Sequence, residues 1–244
     1  MRFEKDTSGI ERYVAIDIHK EYALVGGQNA QQKWVLPPRR VGIEKFRDWA
    51  AANLGAGDAV VIETTTNVWD IYDIVVPLVK YVVVAHAGGV RQIAEARVKT
   101  DKKDVERLIR LLIADIVPEV WVPPAQVREL RGMISYRKRL VKTSTMIRNR
   151  LQSLIHRHNL ILPKGALTNP AWWQAQSLNE LEKIQIRQEL AMLEEIAKHK
   201  AEVDAELGRQ SLGKSWSKQA VRLLQLSGFG VVISMTVLSA IGDV

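Results

Sequence analysis

Residues 13–17 read YVAID and residues 59–63 read AVVIE, two short runs rich in Val, Ile and Ala that each close on an acid. The second run shows no polar alternation, which suits a strand covered on both faces. The closing carboxylate is the costly feature. At the edge of an apolar strand it must be paired, or bind a cation, to offset its desolvation. Working outward from the first run, Ala23–Gly27 and Lys33–Leu36 follow at turn-length gaps and read as an antiparallel meander with it. A helical pattern from about Ile43 to Asn53 stops before Gly55 and Gly57. After the second run, Thr64–Thr66 offer caps for a helix through Val79 that Pro77 would kink or shorten. YVVVA at 81–85 is another buried strand, Gly88 and Gly89 open a short helix, and Asp101 starts a further helix to about Ala114. The order β-β-β-α-β-α-β-α predicts an α/β domain with a mixed five-stranded sheet covered by helices.

Pro118, Pro123 and Pro124 mark the passage to a second region. From about Ala125 to Asn159, Leu130, Met133, Ile134, Leu140, Val141, Ile147, Leu151, Leu154 and Ile155 recur with a period near 3.6, the stripe of an amphipathic helix. Residues 163–173 read as a connector. A second long helix, about 178–207, carries Ile186, Leu190, Leu193, Ile196, Val203 and Leu207. Two such helices predict an antiparallel hairpin or coiled-coil arm, through which the chain would form a homo-oligomer, a dimer or a tetramer. Residues 222–244 place a Gly228-Phe229-Gly230 turn between two apolar helical segments, a helix-hairpin-helix-like element. Its exposed amides, at Gly228 and Gly230, are candidates for holding a phosphate.

The 244-residue composition is that of a globular protein, and the absence of cysteine excludes disulfides and thiolate metal sites. No stretch approaches the roughly 20 apolar residues of a membrane span, so a soluble, cytoplasmic protein without a membrane partner is expected. The net charge is +8, and its position is informative. Residues 128–157 hold nine basic side chains (Arg128, Arg131, Arg137, Lys138, Arg139, Lys142, Arg148, Arg150 and Arg157) against the single acid Glu129, which accounts for the whole excess. A concentrated surplus of this kind points to a polyphosphate partner, DNA or RNA. The second helix is acidic, with eight Asp/Glu against four Lys/Arg over 178–207.

Asp17 and Glu63 both end strands, and Asp101 and Asp104, three apart, project from one helix face. Strand carboxyl ends are where such sheets build sites. Four carboxylates without His or Cys make a hard-oxygen site for Mg²⁺ or Mn²⁺, able to serve two-cation phosphodiester chemistry. His19 and His86 read as local hydrogen-bonding residues.

YVAIDIHK, VIETTTNVWDIYDIV, KTDKKDVERLIRLL and LLQLSGFGVVISMTVLSAIGDV, in that order, resemble the DEDD transposases, the insertion-sequence "one-ten" family together with the Piv DNA invertase. The resemblance covers nearly the whole chain, and the K-T-D-x-x-D motif is its most specific part. It implies a RuvC-like, ribonuclease-H-type catalytic domain (1–117), a helical coiled-coil region (118–210) and the start of a C-terminal transposase domain (211–244). It also implies that Asp17, Glu63, Asp101 and Asp104 are the catalytic, metal-binding acids of a DNA recombinase, a kind of which some members are guided by an RNA from the element's own end. Members use a serine nucleophile from the C-terminal domain. Ser227, Ser234 and Ser239 do not match it, and the segment closing at Val244 reads as cut short before it. A junction-resolvase-like nuclease and a non-catalytic nucleic-acid scaffold are the rival expectations. A sugar-kinase or actin-like ATPase would need a Gly/Thr-rich hairpin where His19-Lys20-Glu21 stands.

Overall fold

Alternation within each strand decides which side of the sheet every residue meets. In the computed structural model, which describes residues 7–93 and 101–242, five strands form one sheet: β1 (Arg12–Ile18), β2 (Tyr22–Gln28), β3 (Trp34–Gly42), β4 (Asp58–Glu63) and β5 (Tyr81–Ala85). Their order is β3-β2-β1-β4-β5. The pairs β3–β2 and β2–β1 are antiparallel, whereas β1–β4 and β4–β5 are parallel, so the sheet is mixed. β3 runs on to Gly42, past the expected end at Leu36 and through Pro37 and Pro38. As the edge strand it tolerates residues that lack a donor.

Val14, Ile16 and Ile18 point to one side, where Phe46 and Ala50 of α1 (Phe46–Asn53) and Val68, Ile71 and Val75 of α2 (Val68–Val75) cover them. The expected span of α2, Thr64 to Val79, is too long at both ends. Its N-cap is Asn67, and it stops ahead of Pro77, which has no amide to continue it. Ala15, Leu24, Val61 and Val83 point to the other side, against Val90 of α3 (Ala87–Ile93) and Val105, Leu108, Ile109 and Leu112 of α4 (Asp101–Ile113). Truncating fully buried Leu108 to Ala would cost about 2–5 kcal/mol.

Two details fix the geometry on which the site depends. Arg12 forks onto Asp58 at 2.7 and 2.6 Å, pinning the starts of β1 and β4 side by side. On β2, a Cβ at Gly26 would stand 2.9 Å from both the Trp34 ring and Val105 Cγ1, so only glycine lets α4 seat this closely.

The chain divides into two compact units, Met1–Val122 and Pro123–Val244. Helices beyond residue 211 cluster with the hairpin rather than forming a third body. In the second unit α5 (Ala125–Arg157) and α7 (Glu180–Ser211) pair along their length, with α6 (Pro170–Gln174) in the expected connector. A capping box starts α7: the Asn179 side chain accepts from the Glu182 amide at 2.9 Å while Glu182 accepts from the Asn179 amide. Ile147, Leu151, Leu154 and Ile155 of α5 pack with Ile186 and Leu193 of α7 and with Trp173. At the other end, Val127 and Leu130 pack with Leu207 and with Trp216, Ala220, Met235 and Leu238, around α8 (Ser217–Leu224) and α9 (Val231–Ile241). This antiparallel pairing leaves Val141, one of the apolar residues of the stripe, on the exposed side. Among the described residues no helix is long and apolar enough to cross a membrane.

Candidate functional site

Strand register brings two of the expected acids together. Ile16 pairs with Ile62, so the next residues along these parallel strands, Asp17 and Glu63, lie side by side near the carboxyl ends of β1 and β4. Asp17 lies two residues beyond Ala15, and Glu63 two beyond Val61, so both carboxylates face the side covered by α4. Asp104 lies in the first turn of that helix, directly before buried Val105. Asp101 opens the helix, but its side chain lies outside the described residues.

The electrostatics record the crowding. Burial pushes the Glu63 carboxyl above its ordinary value, and the negative charge of Asp17 pushes it further. Arg107 opposes that rise, Asp104 adds to it, and Arg91 opposes it more weakly. Asp104 itself pairs with Arg107 at 2.8 Å, one helical turn along. Asp17 Oδ2 lies 3.2 Å from His19 Nε2, and the His19 ring stacks on Tyr22 at 4.5 Å. The Arg40 guanidinium sits 4.5 Å over the same tyrosine. His86 accepts from the Gly89 amide through Nδ1, a purely local role. The Thr64 hydroxyl serves α3, accepting from the Ala87 amide at 3.2 Å, rather than α2 as expected.

Among the described residues no group of three or more His, Asp or Glu is arranged to enclose a metal ion. The donor chemistry nonetheless fits a hard divalent cation. Asp17, Glu63 and Asp104 offer only carboxylate oxygens on one face, and their mutual repulsion is what a cation would relieve.

The nine basic residues of α5 divide by what they touch. Arg137 is bound to Asp204, which Lys200 also contacts. Arg150 forks onto Glu189 at 2.6 and 2.8 Å, Arg131 donates to the carbonyls of Ser239 and Ala240, and Arg157 lies 3.9 Å from Glu182. These side chains help to hold the helices together. Arg128 is half-buried, whereas Lys138, Arg139, Lys142 and Arg148 are exposed. Arg139 sits 5.6 Å over Tyr136, and Arg148 reaches back to the Ser144 hydroxyl at 3.5 Å. Along that exposed face Thr143, Asn149, Gln152 and Ser153 add polar groups and no acid.

At the Gly-Phe-Gly turn, Gly228 takes a positive φ of 84° and Gly230 is the N-cap of α9. The Phe229 amide between them donates to the Leu226 carbonyl and so is not free for a phosphate. Ser234 and Ser239 are buried.

Gly26 and Arg107 shape this acidic face, and local sequence patterns do not single them out. Arg107 is visible only as a charge three residues from Asp104, on the flank of an apolar stripe. Gly26 shows only once α4 is seated on β2. Neither protein-family models nor curated proteins give a match to the chain.

Proposed function

We propose that this chain is a DNA transposase or site-specific recombinase of the DEDD kind. In this reading its first unit is a RuvC-like, ribonuclease-H-type catalytic domain, and it cuts and transfers DNA strands with Mg²⁺ or Mn²⁺. The observation that carries the proposal is the convergence of Asp17, Glu63 and Asp104 on one face of a mixed sheet, with Glu63 pushed up by its neighbours. A protein confines like charges on a half-buried face at a cost in stability, and perturbed carboxylates of this sort gather at functional sites.

Asp17, Glu63 and Asp104, with Asp101, would hold the cations. When bound, these activate the attacking oxygen and stabilise the leaving oxygen of a phosphodiester. His19, just after β1, brings Nε2 to 3.2 Å from the Asp17 carboxylate. Arg91 and Arg107 offset part of the negative charge that would otherwise repel a polyanion. Lys138, Arg139, Lys142 and Arg148 on α5 would grip the sugar-phosphate backbone without reading bases. A guide RNA is a second polyphosphate suited to that face. The exposed apolar residues Val141, Met146, Ile184 and Met192 on the hairpin support self-association.

The test is nicking of supercoiled or branched DNA by the full chain. Wild type is expected to cut with Mg²⁺ or Mn²⁺ and to stop on chelation. Asp17→Asn and Glu63→Gln are expected to lose at least about a hundredfold, more than a residue that merely supports a metal ligand costs. Cutting that is unaffected by chelator or by both substitutions would refute the proposal.

A further inference from the structure

A cation is already built into the acidic face. Arg107 is a long side chain only 15% exposed, on the helix that delivers Asp104, and its guanidinium lies 2.8 Å from the Asp104 carboxylate. It also acts on Glu63, since its positive charge is the strongest influence opposing that carboxyl's rise. Arg91, the other cation felt by Glu63, is exposed and can turn into water, whereas most of the Arg107 side chain is covered. Guanidinium cannot lose its proton, so its charge is permanent. A carboxylate oxygen 2.8 Å from a guanidinium has one side occupied and its charge partly neutralised, and both effects weaken it as a ligand to a hard cation.

We propose that Arg107 is a positioning residue that competes with the divalent cation for Asp104, so that loading the site requires this ion pair to open. The proposal rests on the acids being a metal site. Arg107 therefore sets the cation concentration at which the site fills. Once displaced, the guanidinium is left beside the cation with its donors exposed, suited to a phosphate oxygen of the bound strand.

Competition and simple structural support give opposite signs. If Arg107 only held the site in shape, its removal would weaken metal binding. Competition means that removal tightens it. Calorimetric titration of the full chain with MnCl₂ is the test, on wild type, Arg107→Met, Arg107→Gln and Arg107→Lys. Met and Gln are expected to tighten Mn²⁺ binding by roughly tenfold, the order of a hydrogen bond to a charged group. Lys, which keeps the charge, is expected to stay near wild type. Glutamine guards against a Met variant that fails to fold. In wild type itself, titration with Mg²⁺ is expected to shift the Arg107 Nε–H resonance. Wild-type Mn²⁺ binding that is equal to or tighter than that of the Met and Gln variants, with an unmoved resonance, overturns the proposal alone. No binding by any of the four proteins overturns the metal-site reading beneath it.

Discussion

The acidic face of the first unit and the helix pairing of the second treat charge in opposite ways. In Met1–Val122, Asp17, Glu63 and Asp104 share one face, and burial and mutual repulsion push Glu63 upward. In Pro123–Val244, Glu189 is 6% exposed yet held in a two-pronged pair by Arg150. In the same unit Asp204 is drawn below its ordinary value, first by its hydrogen bond from Arg137 and then by Lys200. Acids matched by cations hold helices in register, whereas the crowding around Glu63 is offset only in part by Arg107 and Arg91. Charge inventory alone therefore misleads: at least four of the nine basic side chains on α5 are engaged by acids or carbonyls of the hairpin and α9.

The largest expected effect comes from breaking a match. Glu189→Lys sets a buried cation against Arg150, for which about 3–5 kcal/mol is the usual scale of an uncompensated buried charge. In a chain of this size that lowers Tm by roughly 10 °C. Relieving a crowd does the reverse. Glu63→Gln removes repulsion and is expected to raise Tm at neutral pH by roughly 2 °C, small because part of the carboxyl already meets water. A thermal melt of each variant checks both, and a Glu63→Gln protein less stable than wild type would break the comparison.

A next, smaller effect separates tethered from available cations on α5. Replacing Lys138, Arg139 and Lys142 with Ala should weaken binding to DNA and flatten the log–log salt dependence by roughly 0.7–0.9 for each phosphate no longer neutralised. Arg137→Ala and Arg150→Ala should act mainly on Tm, with a smaller change in slope. Fluorescence anisotropy over a series of salt concentrations measures this, and equal slopes for the two sets would erase the distinction.

The smallest effect is the pH signature, and its two signs differ. Glu63 has a folded pKa above its ordinary 4.5, so its contribution is present below that value and is lost as pH rises through the raised pKa. Asp204 has a folded pKa below its ordinary 3.8, so its contribution is present above that value and is lost as pH falls through the lowered pKa. The Tm of wild type relative to Glu63→Gln should therefore improve on acidification from neutral pH toward 4.5. Its advantage over Asp204→Asn should hold until the pH passes below 3.8. Melts across the acid range read both.

Much of the sheet was legible because strand periodicity and apolar runs are local signals. YVAID, AVVIE and YVVVA became β1, β4 and β5, and the acids closing the first two were visible as acids at strand ends. What stayed hidden depended on neighbours. β3 outran its expected end because edge position, which excuses Pro37 and Pro38, is a property of the sheet and not of the segment. The partners of Arg137 and Arg150 lie 67 and 39 residues away, beyond any local pattern. Thr64 caps α3 instead of α2 because β5 ends beside it, with the Thr64 amide donating to Ala85. Arg107 matters only because α4 lies over the ends of β1 and β4.

We propose the crowded face of the first unit as a divalent-cation site for cutting DNA strands. Its most direct test is a crystal of the full chain grown with MnCl₂ and measured for manganese anomalous scattering. The expected result is a peak coordinated by carboxylate oxygens of Asp17 and Glu63, with Asp104 turned from Arg107 toward it. Manganese bound elsewhere with that face empty, or no manganese at millimolar concentration, would contradict the account.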